Sequence, residues 1–148
     1  MEWVLSWPAA QTGQGFVTRL RESGEVVGLT TYLNANEHDR RVEIGFTWVT
    51  PAWQRTAVNT ECKLLLLRHA FEVLGANRVE FKTDSQNGPS RAALARIGAQ
   101  EEGTLRNHML RPDGTMRHSV YFSVLPPEWP GVEDALTSRL ALRTMGLR

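Results

Sequence analysis

The run Val42-Glu43-Ile44-Gly45-Phe46-Thr47-Trp48-Val49-Thr50-Pro51-Ala52-Trp53-Gln54-Arg55-Thr56-Ala57-Val58-Asn59-Thr60-Glu61-Cys62-Lys63 changes its hydrophobic period part-way along. Val42, Ile44, Phe46 and Trp48 alternate with Glu43, Gly45, Thr47 and Val49, the period of a half-buried strand, and Pro51 ends it. From Thr60 the spacing becomes helical: Leu64, Leu67, Ala70, Phe71 and Leu74 form one stripe, which Leu65, Leu66 and Val73 widen. Asn59 or Thr60 is the expected cap, Glu61 suits the positive end of the helix, and Gly75 supplies the stop. A strand feeding a helix leaves unpaired amides and a positive dipole end at the strand's carboxyl edge, which suits a pyrophosphate. Arg55 adds a charge-assisted donor there, although any junction of this kind has free amides and this one has no glycine in its turn.

Outward from this run, Phe16 to Arg21 and Val26 to Leu33 are β-rich and meet at Ser23-Gly24, a hairpin, and the polar stretch Asn34 to Arg41 reads as a loop. Downstream, Arg78 to Thr83 predicts a strand, and Pro89 to Ile97 predicts a short helix closed by Gly98. Gly103 to His108 and Arg117 to Val124 predict strands around the turn Asp113-Gly114, and a last helix follows Pro130. The junction Asp84-Ser85-Gln86-Asn87-Gly88-Pro89-Ser90-Arg91 repeats the strand-to-helix pattern. Asn87 can bond a polar ligand chain and Ser90 can point its hydroxyl into the same cleft, while the plain reading of Asn-Gly-Pro-Ser is a turn and a helix cap.

Composition narrows the class. The chain has 148 residues, 41% hydrophobic and 22% charged, which fits one globular domain spanning residues 1–148 and excludes disordered and coiled-coil chains. Seventeen basic residues stand against sixteen acidic ones, so no single-sign field marks a nucleic acid or an anionic membrane as partner. The arginines are scattered as well: Arg19, Arg40, Arg68, Arg96 and Arg139 fall on different elements. Cys62 is the single cysteine, which rules out an intramolecular disulfide or a multi-cysteine zinc site and reads as a small buried thiol. No metal is expected. The longest aliphatic run, Leu64 to Leu67, is far short of a membrane span, and the amino end lacks the basic start of a signal peptide, so a cytoplasmic chain is expected.

From about Gly15 to Trp129 the residues resemble the GNAT superfamily of acyl-CoA-dependent N-acyltransferases, in its RimJ/RimL-like branch. The resemblance rests on Val42-Glu43-Ile44-Gly45-Phe46, Asn59-Thr60-Glu61-Cys62-Lys63, His69-Ala70-Phe71-Glu72 and Arg78-Val79-Glu80-Phe81-Lys82-Thr83-Asp84. It continues through Asn87 to Ser90, Arg96-Ile97-Gly98-Ala99, Glu102-Gly103, Leu105-Arg106 and Asp113-Gly114, in order and at the family's spacing. It implies an α+β fold of the GNAT type, a twisted mixed β-sheet flanked by helices with a V-shaped cofactor cleft. In such a fold the pantetheine arm of acetyl-CoA adds like an extra strand to the edge at Thr47, Trp48 and Val49. The pyrophosphate then lies over Arg55, Thr56, Ala57, Val58, Asn59 and Thr60, and Asn87 bonds the arm. Ser90 faces the thioester and is the candidate acid for the departing thiolate.

The reaction so implied is transfer of an acetyl group to a primary amine, on a protein amino terminus or a small molecule, by direct attack. It needs a base for the amine proton, and Glu43 is the candidate, acting through a water, with an ion-paired or solvent-facing glutamate as the plain alternative. A main-chain amide near Val49 would polarise the thioester carbonyl. Three departures shape these expectations. The loop glycines of the family are replaced in Gln54-Arg55-Thr56-Ala57-Val58-Asn59, which predicts weakened cofactor binding. Leu94 stands where many members carry a tyrosine acid, and His118 where the branch often has an acidic residue. The strand and two helices that open the family's fold are represented by at most 14 residues. An uncovered hairpin predicts a homodimer, with Trp3 and Trp7 as candidate anchors, and the same shortening supports the alternative of a degenerate, non-catalytic domain acting through protein association. Finally, the helices from Thr60 to Leu74 and from Pro89 to Ile97 are expected on opposite faces of the sheet.

Overall fold

The computed structural model describes residues 13–144. Its strands are β1 (Gln14–Arg19), β2 (Val26–Asn36), β3 (Arg41–Val49), β4 (Arg78–Asp84), β5 (Gln100–Leu110) and β6 (Met116–Val124). Its α-helices are α1 (Ala57–Arg68), α2 (Gly88–Arg96) and α3 (Trp129–Thr144). The strands form one six-stranded sheet in the order β1-β2-β3-β4-β6-β5, antiparallel except for the β3/β4 pair. That parallel step is where the chain leaves the sheet through α1 and returns, the βαβ crossover that parallel neighbours require. The candidate anchors Trp3 and Trp7 lie outside the described residues.

One face of the sheet is apolar and the other is not. Val42, Ile44, Val79, Phe81, Val120, Phe122 and Val124 alternate along β3, β4 and β6 onto a common face and are all buried. Leu66 and Leu67 of α1, Leu94 of α2 and Val132 and Leu136 of α3 join the same core. Burying each such side chain contributes about 1.5–3 kcal/mol. The expectation of helices on opposite faces is therefore corrected: α1, α2 and α3 all pack on this one face, with Arg68 of α1 paired to Glu133 of α3 at 2.8 Å. The physical reason is legible in the alternation itself, because the intervening positions Glu43, Glu80, Lys82, Ser119, Tyr121 and Ser123 offer a helix no apolar surface.

Helix α1 begins at Ala57, earlier than the period alone indicates, and its cap is Thr56 instead of Asn59 or Thr60: the Thr56 hydroxyl accepts from the Val58 amide at 3.3 Å. Regular α-geometry ends at Arg68, and His69–Val73 forms a π turn, closed by the Leu74 amide on the His69 carbonyl and by Gly75 at φ 64°. The buried hydroxyl of Tyr32, on β2, donates to the Leu66 carbonyl at 2.5 Å, tying the hairpin to α1 just before that turn. Strand β2 continues to Asn36, so the loop expected from Asn34 to Arg41 is confined to the four residues between β2 and β3. Strand β5 likewise runs past both ends of Gly103 to His108.

Candidate functional site

The parallel seam is short. Only Arg41, Val42 and Glu43 of β3 register with Arg78, Val79 and Glu80 of β4. Beyond these the strands part, and a cleft of about 910 Å³ opens between them. Part of the cause is a β-bulge. Gly45 pairs with Thr31 and Trp48 with Leu29, so Phe46 and Thr47 together face the single residue Thr30, and Phe46 adopts φ 46°. The bulge corrects the simple alternation expected of this strand. Val42 and Ile44 are buried, but Phe46 and Trp48 are exposed by 77% and 55%. Thr47, expected on the face of Glu43, turns instead toward α1, where its hydroxyl lies 2.9 Å from that of Thr30 and accepts from Lys63 Nζ at 2.6 Å.

The amino end of α1 forms one wall. Its first-turn amides have no acceptor within the helix, and the Thr56 hydroxyl satisfies that of Val58 alone. Arg55 holds φ 61°, the left-handed conformation that a glycine adopts without strain, so here an arginine occupies the backbone state of the absent loop glycine. Arg143 of α3 donates to the Arg55 carbonyl at 2.9 Å, and Arg139 donates to the Arg96 carbonyl at 2.8 Å. Arg55, Arg96, Arg139 and Arg143 all line the cleft, and none of the four has a carboxylate partner among the described residues. Four unneutralised guanidinium groups beside a helix amino terminus suit a ligand carrying several phosphate charges.

Across the cleft, Asn87 caps α2, its side-chain oxygen accepting from the Ser90 amide at 3.1 Å. The cap role and a ligand role are compatible, because the cap uses the oxygen and leaves the amide NH₂ free to donate. Ser90 lines the cleft in the first turn of the helix, and Leu94 lies one turn further on, buried against the core.

On the polar face of the sheet, Glu43 is 2% exposed. Its Oε2 accepts from Asn34 at 2.7 Å and sits 3.5 Å from Lys82 Nζ, while its Oε1 is turned toward Gly45. Of the two plain alternatives, ion pairing holds and solvent exposure does not. Beside it, burial first, and then the charges of Glu43 and Glu80, push the Tyr121 phenol up from its ordinary pKa. A second bulge, in β5 opposite His118, gives Asn107 a φ of 50°, and His118 Nδ1 accepts the Asn107 amide at 2.9 Å. His118 thus replaces an acid with a bulge-stabilising acceptor, and His108 is carried to within 2.9 Å of the Ser119 hydroxyl.

Of the residues singled out from sequence, the cleft brings together Glu43, Thr47, Val49, Arg55, Thr56, Asn59, Thr60, Asn87 and Ser90. Trp48, Ala57 and Val58 are not among its lining residues. Lys63, Lys82, Arg96, Arg139 and Arg143 line it without having been singled out. The arginines of α3 carry no sequence signal beyond the charge that suits a helix carboxyl end. Cys62 is a buried thiol 3.3 Å from the Thr18 hydroxyl, and burial pushes its pKa up, as a structural cysteine requires. No metal-binding cluster occurs among the described residues, and no described helix is long and apolar enough to cross a membrane.

Among known protein families, the model described as "Acetyltransferase (GNAT) domain" matches residues 1–100. The "Putative ribosomal N-acetyltransferase YdaF" of Bacillus subtilis is 33% identical over 117 residues, 79% of this chain and 63% of that protein. Among solved structures, a GCN5-related N-acetyltransferase from Brucella melitensis is 34% identical with a TM-score of 0.81, covering 85% of this chain and 57% of its own. A "putative acetyltransferase" from T. thermophilus is 44% identical with a TM-score of 0.75, covering 78% and 61%. This chain therefore spans about three fifths of the length of these relatives.

Proposed function

From a chain that belongs to the GNAT acetyltransferase family, we propose that the cleft binds acetyl-CoA and that the protein is an N-acetyltransferase, moving the acetyl group to a primary amine by direct attack. The observation that carries this reading is the cleft where β3 and β4 part, walled at one end by a helix amino terminus and four arginines without carboxylate partners among the described residues. Those residues fit the cofactor: its phosphates have donors at Arg55, Thr56, Asn59 and Thr60, and the parted edge of β3 at Thr47 to Val49 can pair with an extended amide-bearing arm. Acetyl-CoA supplies the activated thioester, and the chain supplies positioning and proton transfer. Asn87 orients the arm through its free amide, and Ser90 protonates the departing sulfur. Glu43, fixed by Asn34 and Lys82, takes the amine proton through a water on the polar face.

The acceptor is a protein amino terminus or a small amine, and the ribosomal name of the Bacillus relative supports the first. The reading extends to a single domain over residues 1–148, a cytoplasmic location and no nucleic-acid partner, the last in keeping with near-neutral charge. It extends also to a homodimer, supported by the aligned exposed side chains Val17, Leu29 and Trp48 across β1, β2 and β3. An acetyl-CoA consumption screen over peptides, amino acids and polyamines tests the activity, with calorimetry of CoA binding beside it. Activity on an amine is expected, and Ser90→Ala and Glu43→Gln should each lower turnover by about tenfold or more. No heat at millimolar CoA would refute the reading and leave the non-catalytic alternative standing.

A further inference from the structure

Lys63 is 6% exposed in the second turn of α1, and its ammonium lines the cleft. Among the described residues one of its three N–H groups is committed, to the Thr47 hydroxyl at 2.6 Å. The ring of Phe81 lies below it, 5.8 Å from Nζ to the centroid, and no carboxylate among the described residues pairs with it. Burying an ammonium with two unused donors opposes folding, so retention of the charge calls for an acceptor from whatever fills the cleft. The network has a direction. Thr30 and Thr47 fix the ammonium beneath the bulge, at the point where β3 has lost its β4 partner, and its unused donors have no acceptor there among the described residues.

We propose that Lys63 is a cofactor-binding residue whose ammonium donates to a carbonyl oxygen in the pantetheine arm of an acyl-CoA lying along the open edge of β3. The inference rests on the reading that this cleft holds acyl-CoA. The arm is favoured over the phosphates by position: Lys63 follows Ala57 by six residues, about 9 Å along α1 from the helix start at 1.5 Å per residue, and its ammonium is tied across to Thr47 on β3. Phosphates held at the helix start lie to one side of an ammonium tied to β3, whereas an extended chain leaving them along that strand passes over it. The amide carbonyls of such a chain need donors once they leave water.

The test compares two ligands by calorimetry. CoA carries the arm, and 3′,5′-ADP is the nucleotide end without it. Lys63→Met should weaken CoA by about tenfold or more while leaving 3′,5′-ADP within about twofold. Thr47→Val, which keeps the ammonium but removes its tether, should weaken CoA by a smaller factor and again spare the nucleotide. Unchanged CoA affinity in Lys63→Met overturns the proposal and leaves the acyl-CoA reading intact. Equal losses for both ligands also overturn it, because they place Lys63 at the phosphates or in the scaffold. Absence of CoA binding to the unaltered chain sinks the acyl-CoA reading and this inference with it.

Discussion

The buried lysine makes a prediction about stability that needs no ligand. Burial lowers the Lys63 ammonium from the ordinary 10.5 to about 8. In the unfolded chain the group keeps its ordinary value, so between pH 8 and 10.5 the unfolded state binds more protons and stability rises with pH. At pH 7 both states are protonated, and the full difference between the two values opposes folding by about 3 kcal/mol, at about 1.36 kcal/mol for each pH unit separating them. At about pH 9.5 the folded group is neutral and about 2 kcal/mol of that penalty has gone. Lys63→Met removes the titration and keeps an unbranched side chain one atom shorter. The loss of its bond to Thr47 offsets about 1–2 kcal/mol of the relief at neutral pH, so the variant should equal or exceed the parent there. The assay is urea unfolding of both proteins at about pH 7 and 9.5. Subtracting the variant cancels the tyrosines, and the parent should gain about 2 kcal/mol relative to Lys63→Met over that interval. A difference that stays constant, or one that falls with pH, would show that the ammonium is solvated in the folded state and would refute the reasoning.

Other perturbations follow from single contacts. Arg55→Gly relieves the left-handed φ of 61° at an entropic cost to the chain, for a net gain of up to about 1 kcal/mol, seen as a higher melting temperature. The same change removes one of the four unpaired guanidinium groups of the cleft, so CoA should bind more weakly, and calorimetry reads it directly. Tyr32→Phe deletes the donor to the Leu66 carbonyl and should lower the unfolding free energy by about 1–2 kcal/mol, while an unmoved urea midpoint would count against that bond. Gly45→Ala brings a methyl to 2.8 Å from Leu33 Cδ1 and 3.3 Å from Glu43 Oε1, which should depress turnover several-fold with CoA affinity unchanged. Equal turnover in that variant would mean that the Glu43 carboxylate is not placed by this packing.

The order of elements was readable because periods of two and of 3.6 residues separate cleanly around Pro51 and Gly75. What escaped the pattern was local backbone geometry. A β-bulge inserts a residue without a compositional mark, so Phe46 and Trp48 looked like core and are exposed, and Thr47 looked like a partner of Glu43 and is not. The start of α1 was obscured because Thr56 caps as well as Asn59 or Thr60 does, and the apolar stripe begins only in the second turn. The helices' common face was present in the alternation of β4 and β6, whose polar half is as regular as the apolar one. Within the site, Glu43, Asn87 and Ser90 could be picked out by type and spacing. Lys63 and the α3 arginines could not, since a lysine in an apolar stripe and arginines at a helix end signal nothing until the crossover brings them to one opening.

The three-residue parallel seam also bears on mechanics. Mechanically the sheet is two three-stranded plates, β1-β2-β3 and β4-β6-β5, meeting along a line of about one nanometre and braced on one side by α1. Such a joint resists sliding poorly and bending well only where the helix spans it. A molecule seated between the plates acts as a splint, since each donor and acceptor it offers to the bare edges replaces a missing rung. Occupancy should therefore be felt far from the cleft, as slower amide exchange along β3 and β4 and a more cooperative unfolding of two halves that otherwise share so little backbone.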